Sequence, residues 1–166
     1  MKIPTKEECL TILKEADVPA NIIAHTSKVC EIALKVSDIL EKKGIKVNKN
    51  LVAAASMLHD VRKLSKNDHI IEGYNYIKSL GYPEVAEVMR THGLVHVEDD
   101  EFFPKTTEQK IVFYADKRAN GDKLVSIEER FSYIMKRYDR INEVKRELEI
   151  TKEIEKELLG EDTLLE

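Results

Sequence analysis

Three short stretches, Thr5-Lys-Glu-Glu8, Thr106-Thr-Glu-Gln109 and Ser126-Ile-Glu-Glu129, place a hydroxyl residue three positions before a glutamate or glutamine. This spacing is the capping box of an α-helix. The hydroxyl accepts from a free backbone N–H, and the acidic or amide side chain reaches back to another. The sequence between these starts is also helical in period. A second helix is expected from near Pro19 to Gly44, with Ile22, Val29, Ile32, Val36 and Ile39 on one stripe. Asn48 or Asn50 can cap a third through Leu51 to Val61, Asp68 caps a fourth that stops at Gly81, and Pro83 opens a fifth ending near Gly93.

The segment from Leu94 to Lys105 has no clear period, and only short pieces such as Leu94 to Val97 read as strand. A sixth helix then runs to Asn120-Gly121, and a final one is expected over about 127–160. On that last helix Ile127, Phe131, Ile134, Tyr138, Ile141, Val144 and Leu148 continue a single stripe. The expectation is one all-α domain over 1–166: a helical bundle with its motif-bearing core at about 20–135. The charged tail is expected to pack on this domain as an amphipathic helix. Its leftover apolar stripe can also pair two chains, so monomer and homodimer both stand.

Composition narrows the class. A hydrophobic share of 42% and a charged share of 35% describe a globular chain, and a net charge of −4 disfavours sequence-independent nucleic-acid binding. No apolar run approaches the roughly 18 residues of a membrane span, and no secretory h-region is visible. Cys9 and Cys30 lack CxxC spacing and read as reduced thiols. A cytoplasmic protein is expected.

Five histidines are present: His25, His59, His69, His92 and His96. His25 precedes Val29 and Ile32 by four and seven residues. His59 follows Val52 and Ala55 by seven and four. His92 follows Val85, Val88 and Met89, His69 stands at the entry of its helix, and Asp116 follows Val112 by four. These spacings turn imidazoles and carboxylates inward, where an ionised aspartate needs a partner or a cation. Imidazole and carboxylate together suit divalent transition metals. Neighbouring His59 and Asp60 diverge by about 100° on a regular helix, so both reach one ion only from between them or near a helix end. His96 sits in the irregular segment and reads as a surface or pocket-rim residue.

In order and type, these residues resemble the HD superfamily of metal-dependent phosphohydrolases, close to its HDIG-like subgroup. The match reads His25, His59-Asp60, His69, His92, Asp116, supported by "LHDVRK", "HIIEG", "RTHG" and "FYADKR". The resemblance implies an HD-type helical bundle with a metal site at its centre. His25, His59, Asp60 and Asp116 would hold a first ion, and His69 and His92 a second one bridged by Asp60, or in single-metal members the substrate phosphate. One or two ions of Mn, Fe, Zn, Ni or Co are implied. Arg62 replaces the usual glycine beside the motif. The Glu-Asp pair of guanosine tetraphosphate hydrolases is absent, and "GYP" at Gly81 to Pro83 precedes His92, which argues against cyclic-di-GMP cleavage.

The implied activity is cleavage of a small phosphate ester, a nucleotide, by a metal-activated water, with no nucleic-acid or membrane partner. Both a phosphomonoesterase and a dinucleoside-polyphosphate or phosphodiester hydrolase fit. Asp60 and Lys63 are the expected catalytic residues, and Lys63, Arg62 and Arg118 the expected substrate contacts. Lys117 and Arg90 are weaker candidates, and Tyr74, Phe113 and Tyr114 are candidate pocket walls. An HD-fold di-iron oxygenase uses the same ligand set, and a non-catalytic ligand-sensing module keeps the same fold.

Overall fold

A computed structural model describes residues 1–93, 99–137 and 139–164. Its elements are helices α1 (Lys6–Glu15), α2 (Ala20–Lys42), α3 (Lys49–Leu58), α4 (His69–Ser79) and α5 (Pro83–Met89). A single 3₁₀ turn (Asp100–Phe102) leads to α6 (Thr107–Lys117). The strands β1 (Ala119–Asn120) and β2 (Lys123–Leu124), then α7 (Ile127–Arg137) and α8 (Ile141–Leu159), complete the chain. The architecture is all-α, with one two-stranded antiparallel hairpin among the described residues.

The capping boxes at Thr5 and Thr106 form in full, Asn48 caps α3 through Leu51 N–H, and Asp68 caps α4 through the N–H groups of Ile70 and Ile71. Two helices fill the centre. Every residue of α3 from Leu51 to Leu58 is buried, as is α6 from Ile111 to Lys117, so each is wrapped by other elements on all sides. The long α2 packs along both, and α1, α5 and α8 close the remaining faces. One continuous apolar cluster results, from Cys9 to Leu164. Cys9 and Cys30 lie within it as free thiols.

Four expectations change. The third helix stops at Leu58 and the fifth at Met89, each giving way to turns that carry the histidines. The sixth stops at Lys117, and Asn120-Gly121 enters a hairpin instead. Asn120 pairs with Lys123, and Gly121 has φ +58, the left-handed start that a two-residue II′ loop requires. The expected final helix is two helices, the first ending at Arg137 and the second starting at Ile141. Unbroken, the 33 positions from 127 to 159 would extend about 50 Å, well past the roughly 30 Å of a small domain. Doubling back lets Ile127, Phe131 and Ile134 on α7 and Val144, Ile150 and Ile154 on α8 face one core. The stretch Leu94 to Val97, with its strand reading and His96, lies outside the described residues.

Candidate metal centre

The six expected ligands come from five places in the chain. His25 lies in the second turn of α2, His59 is the C-cap of α3, and Asp60 follows it in the turn. His69 opens α4, His92 sits in the turn after α5, and Asp116 is one residue from the end of α6. His59 keeps helical φ/ψ as the C-cap of α3, and with Asp60 in the turn that follows both side chains still reach one point, at the end of the helix. The structure brings the six together in two groups. His25, His59, Asp60 and Asp116 each offer a ligand atom within 4.8 Å of the others, and so do Asp60, His69 and His92.

Asp60 joins the groups with separate oxygens. Its Oδ2 lies 3.6 Å from His25 Nε2 and 3.4 Å from His59 Nε2, while its Oδ1 lies 3.6 Å from His92 Nε2. Asp116 Oδ1 is 3.1 Å from His25 Nε2 and 3.2 Å from His59 Nε2. The ring orientations are set from behind. Nδ1 of His25 donates to the Gly121 carbonyl at 2.8 Å, that of His59 to Ser56 at 2.6 Å, and that of His92 to Met89 at 2.6 Å. Holding the proton on Nδ1 leaves each Nε2 as the inward-facing donor atom, which is how backbone carbonyls orient metal-binding imidazoles. The β1–β2 hairpin thereby positions a histidine on α2.

The electrostatics describe a site built around positive charge. Burial opposes the charge of Asp60 and Asp116, at 5% and 7% exposed, yet both are held well below the usual carboxylate range. The His59 imidazolium does this for Asp60; Lys117, His25 and His59 do it for Asp116. Burial also opposes a charge on His59, but the two carboxylates outweigh it and push that imidazolium up to about 10. Without a metal ion, a proton compensates the carboxylates. Burial pulls His92 down, and pulls His69 down to about 4 with help from His92 and Lys63, so both stay neutral and available as ligands. Buried carboxylates, preset Nε2 atoms and neutral imidazoles make a donor set that fits one or two divalent ions.

The groups open onto a cavity of about 370 Å³, within the range of small-molecule sites. Lys63 stands exposed on its rim. Lys117, 1% exposed, donates from Nζ to the His92 carbonyl at 2.7 Å and to Asp116 Oδ2 at 2.9 Å, tying the two groups together. Burial outweighs the attraction of Asp116 and pulls Lys117 below the ordinary lysine value. The far wall comes from the two C-terminal helices, with Arg130, Tyr133, Val144 and Glu147.

Arg62 and Arg118 do not reach this cavity. The Arg62 guanidinium lies 4.2 Å over the Tyr76 ring. Arg118 donates to the Val125 carbonyl at 2.7 Å and the Tyr114 hydroxyl at 2.7 Å, on the side of α6 away from Asp116. Arg62 instead lines a smaller neighbouring pocket with Asp60 and Lys63. The expected aromatic walls also lie elsewhere: Phe113 and Tyr114 are fully buried in the core, and Tyr74 packs against Arg90. Among the cavity residues, sequence reasoning ranked Lys117 low and missed Arg130 and Glu147. One signal was readable, because Glu147 occupies an inward position between Val144 and Thr151 on the stripe of α8.

The family model of the HD domain matches residues 22–121, which include all six clustered side chains. The chain belongs to the HD domain family. HD domains bind divalent metals, and the two groups here are able to hold them. This HD domain chain is 27% identical to a tRNA (cytidine(56)-2'-O)-methyltransferase of Picrophilus torridus over 84% of its length and 42% of the relative's. It is 28% identical to an uncharacterized protein of Methanocaldococcus jannaschii over 81% of its length and 84% of that protein. A dihydroneopterin 2',3'-cyclic phosphate phosphodiesterase of the same organism is 30% identical over 58% of the chain and 45% of the relative. The HD domain chain thus spans less than half of the methyltransferase and of the phosphodiesterase. In fold it is similar to a predicted HD superfamily hydrolase from an uncultured Thermotogales bacterium, with a TM-score of 0.50 and 23% identity over 84% of this chain and 92% of the other. No helix among the described residues is long and apolar enough to cross a membrane.

Proposed function

We propose that the chain is a metal-dependent phosphohydrolase that cleaves a phosphate ester of a small, nucleotide-like molecule. The reading is carried by Asp60, which presents Oδ2 to one histidine–carboxylate group and Oδ1 to the other at the floor of a substrate-sized cavity. His25, His59, Asp60 and Asp116 would hold a first divalent ion, and Asp60, His69 and His92 would hold a second. Such ions supply Lewis acidity at a phosphoryl oxygen and bring the pKa of water from 15.7 down to about 7.

The rest of the work falls to the protein. The three carbonyls behind His25, His59 and His92 keep the Nε2 atoms fixed, so little reorganisation accompanies ion or substrate binding. Lys117 holds Asp116 in register with the His92 turn. Lys63, exposed on the rim, meets a non-bridging phosphate oxygen as a point charge. The phosphodiesterase relative supports ester hydrolysis as the reaction class. The methyltransferase contributes no reaction to this reading, since the chain spans 42% of its length.

The test is a screen of phosphomonoesters, cyclic phosphodiesters and dinucleoside polyphosphates against protein loaded in turn with Mn, Fe, Co, Ni and Zn. Hydrolysis of at least one class that is lost in Asp60→Ala supports the reading. Metal-loaded protein that hydrolyses none of them, or that consumes oxygen in the iron form, overturns it.

A further inference from the structure

The cavity has a second pole that the hydrolytic reading does not use. Glu147 is 5% exposed, lines the cavity from α8, and its carboxylate makes no hydrogen bond or ion pair among the described residues. Of the two cations that act on it, Lys117 is already bonded to Asp116 and the His92 carbonyl, and Arg140 pairs with Glu143. On the same wall, the Nε–H of Arg130 is buried and also has no partner. Both groups lie near enough to Lys117 to influence its ionisation, with opposite sign, yet they do not pair with each other.

The Arg130 Nε–H is thus a buried donor without a partner, while the Glu147 oxygens face the cavity and meet no protein donor among the described residues. A buried polar group without a partner is destabilising, more so when charged, and native structures keep few of them. Burial, only partly offset by Lys117 and Arg140, pushes Glu147 up to about 7, as expected for a carboxylate short of hydrogen bonds. A ligand that completes this wall must meet a two-oxygen acceptor with donors, and meet the Arg130 Nε–H with an acceptor. The carboxylate is best met by two adjacent, coplanar N–H groups. Tyr133, Ile134 and Val144 around the pair supply the apolar and aromatic surface that a flat ring needs.

We infer that this wall binds the base of the substrate, and that Glu147 and Arg130 select a ring whose edge reads donor, donor, acceptor, which is the edge of guanine. The inference rests on the hydrolase reading for the phosphate at the other pole. Guanine offers its amino group and ring N–H to Glu147 and its carbonyl to Arg130. Hypoxanthine lacks the amino donor. Adenine places a bare ring nitrogen where Glu147 needs an N–H, so it leaves the carboxylate unsatisfied.

The test is equilibrium binding of GMP, IMP and AMP to the full chain with and without Mn²⁺, for the wild type and Glu147→Gln. Binding is read independently of turnover. A failed phosphatase screen with intact GMP selectivity therefore sinks only the hydrolase reading, and hydrolysis without selectivity sinks only this one. The expected order is GMP, then IMP, then AMP, with GMP at least about tenfold tighter than AMP. Glu147→Gln should weaken GMP about tenfold or more and leave AMP within about twofold. Equal binding of the three nucleotides by the wild type overturns the inference without any variant. So does a folded Glu147→Gln protein that loses GMP and AMP alike.

Discussion

Lys117→Met removes a buried cation that contacts both halves of the centre while keeping most of its volume. In the wild type, Nζ satisfies Asp116 Oδ2 at 2.9 Å and the His92 carbonyl at 2.7 Å. Taking one partner from a buried ion pair typically costs about 3–5 kcal/mol, because a charge is left uncompensated. A divalent ion beside Asp116 restores that compensation but does nothing for the His92 carbonyl, whose lost bond accounts for about 1–3 kcal/mol. The variant should therefore lose about 3–5 kcal/mol in chelator and about 1–3 kcal/mol when metal is saturating. At about 2–4 °C per kcal/mol for a chain of this size, the chelated melting temperature falls by about 6–20 °C. Thermal unfolding of both proteins in EDTA and in excess Mn²⁺ measures this directly. A loss that is the same in both conditions, or below about 1 kcal/mol in chelator, refutes the reasoning.

Other expectations concern the same centre. His92→Ala should retain one equivalent of metal and lose turnover, and elemental analysis with an activity assay checks it; unchanged values in both remove His92 from the site. Lys63→Ala should keep its metal content and lower kcat/KM by about 10–100-fold, the weight of one charge-assisted phosphate contact. Arg62→Ala should leave kcat/KM within about twofold, since its guanidinium covers Tyr76 outside the cavity. The pH dependence follows from His59. Its folded value is raised to about 10, so in chelator its stabilising effect is complete below the unfolded value near 6.5 and disappears as pH rises through 10. Metal binding at pH 8 must displace that proton. Calorimetry in buffers of different ionisation enthalpy should report release of about one proton per ion at the first group, and zero release contradicts the assignment.

The helices were legible wherever a cap and an apolar stripe agreed, as at Thr5, Asp68 and Thr106. The stripe alone misled at the C-terminus, because Ile134, Tyr138 and Ile141 keep helical spacing in the sequence although α7 ends at Arg137 and α8 begins at Ile141. The gathering of His25, His59, Asp60, His69, His92 and Asp116 could be anticipated because each sits where an apolar residue is expected or at a helix end. Cations were harder. Arg62, Lys63, Lys117 and Arg118 are equivalent in the sequence. Only the rotation of α6, which turns Lys117 toward Asp116 and Arg118 toward Tyr114, separates a cavity residue from a scaffold residue. Glu147 escaped notice for the opposite reason: among the many acidic residues of α8, its inward position was the only mark.

Anomalous diffraction from crystals grown with Mn²⁺ tests the metal centre most directly. One peak is predicted among His25, His59, Asp60 and Asp116, and a second among Asp60, His69 and His92, with the Asp60 carboxylate between them. Manganese found only elsewhere on the molecule, or at neither group under saturating conditions, contradicts the account.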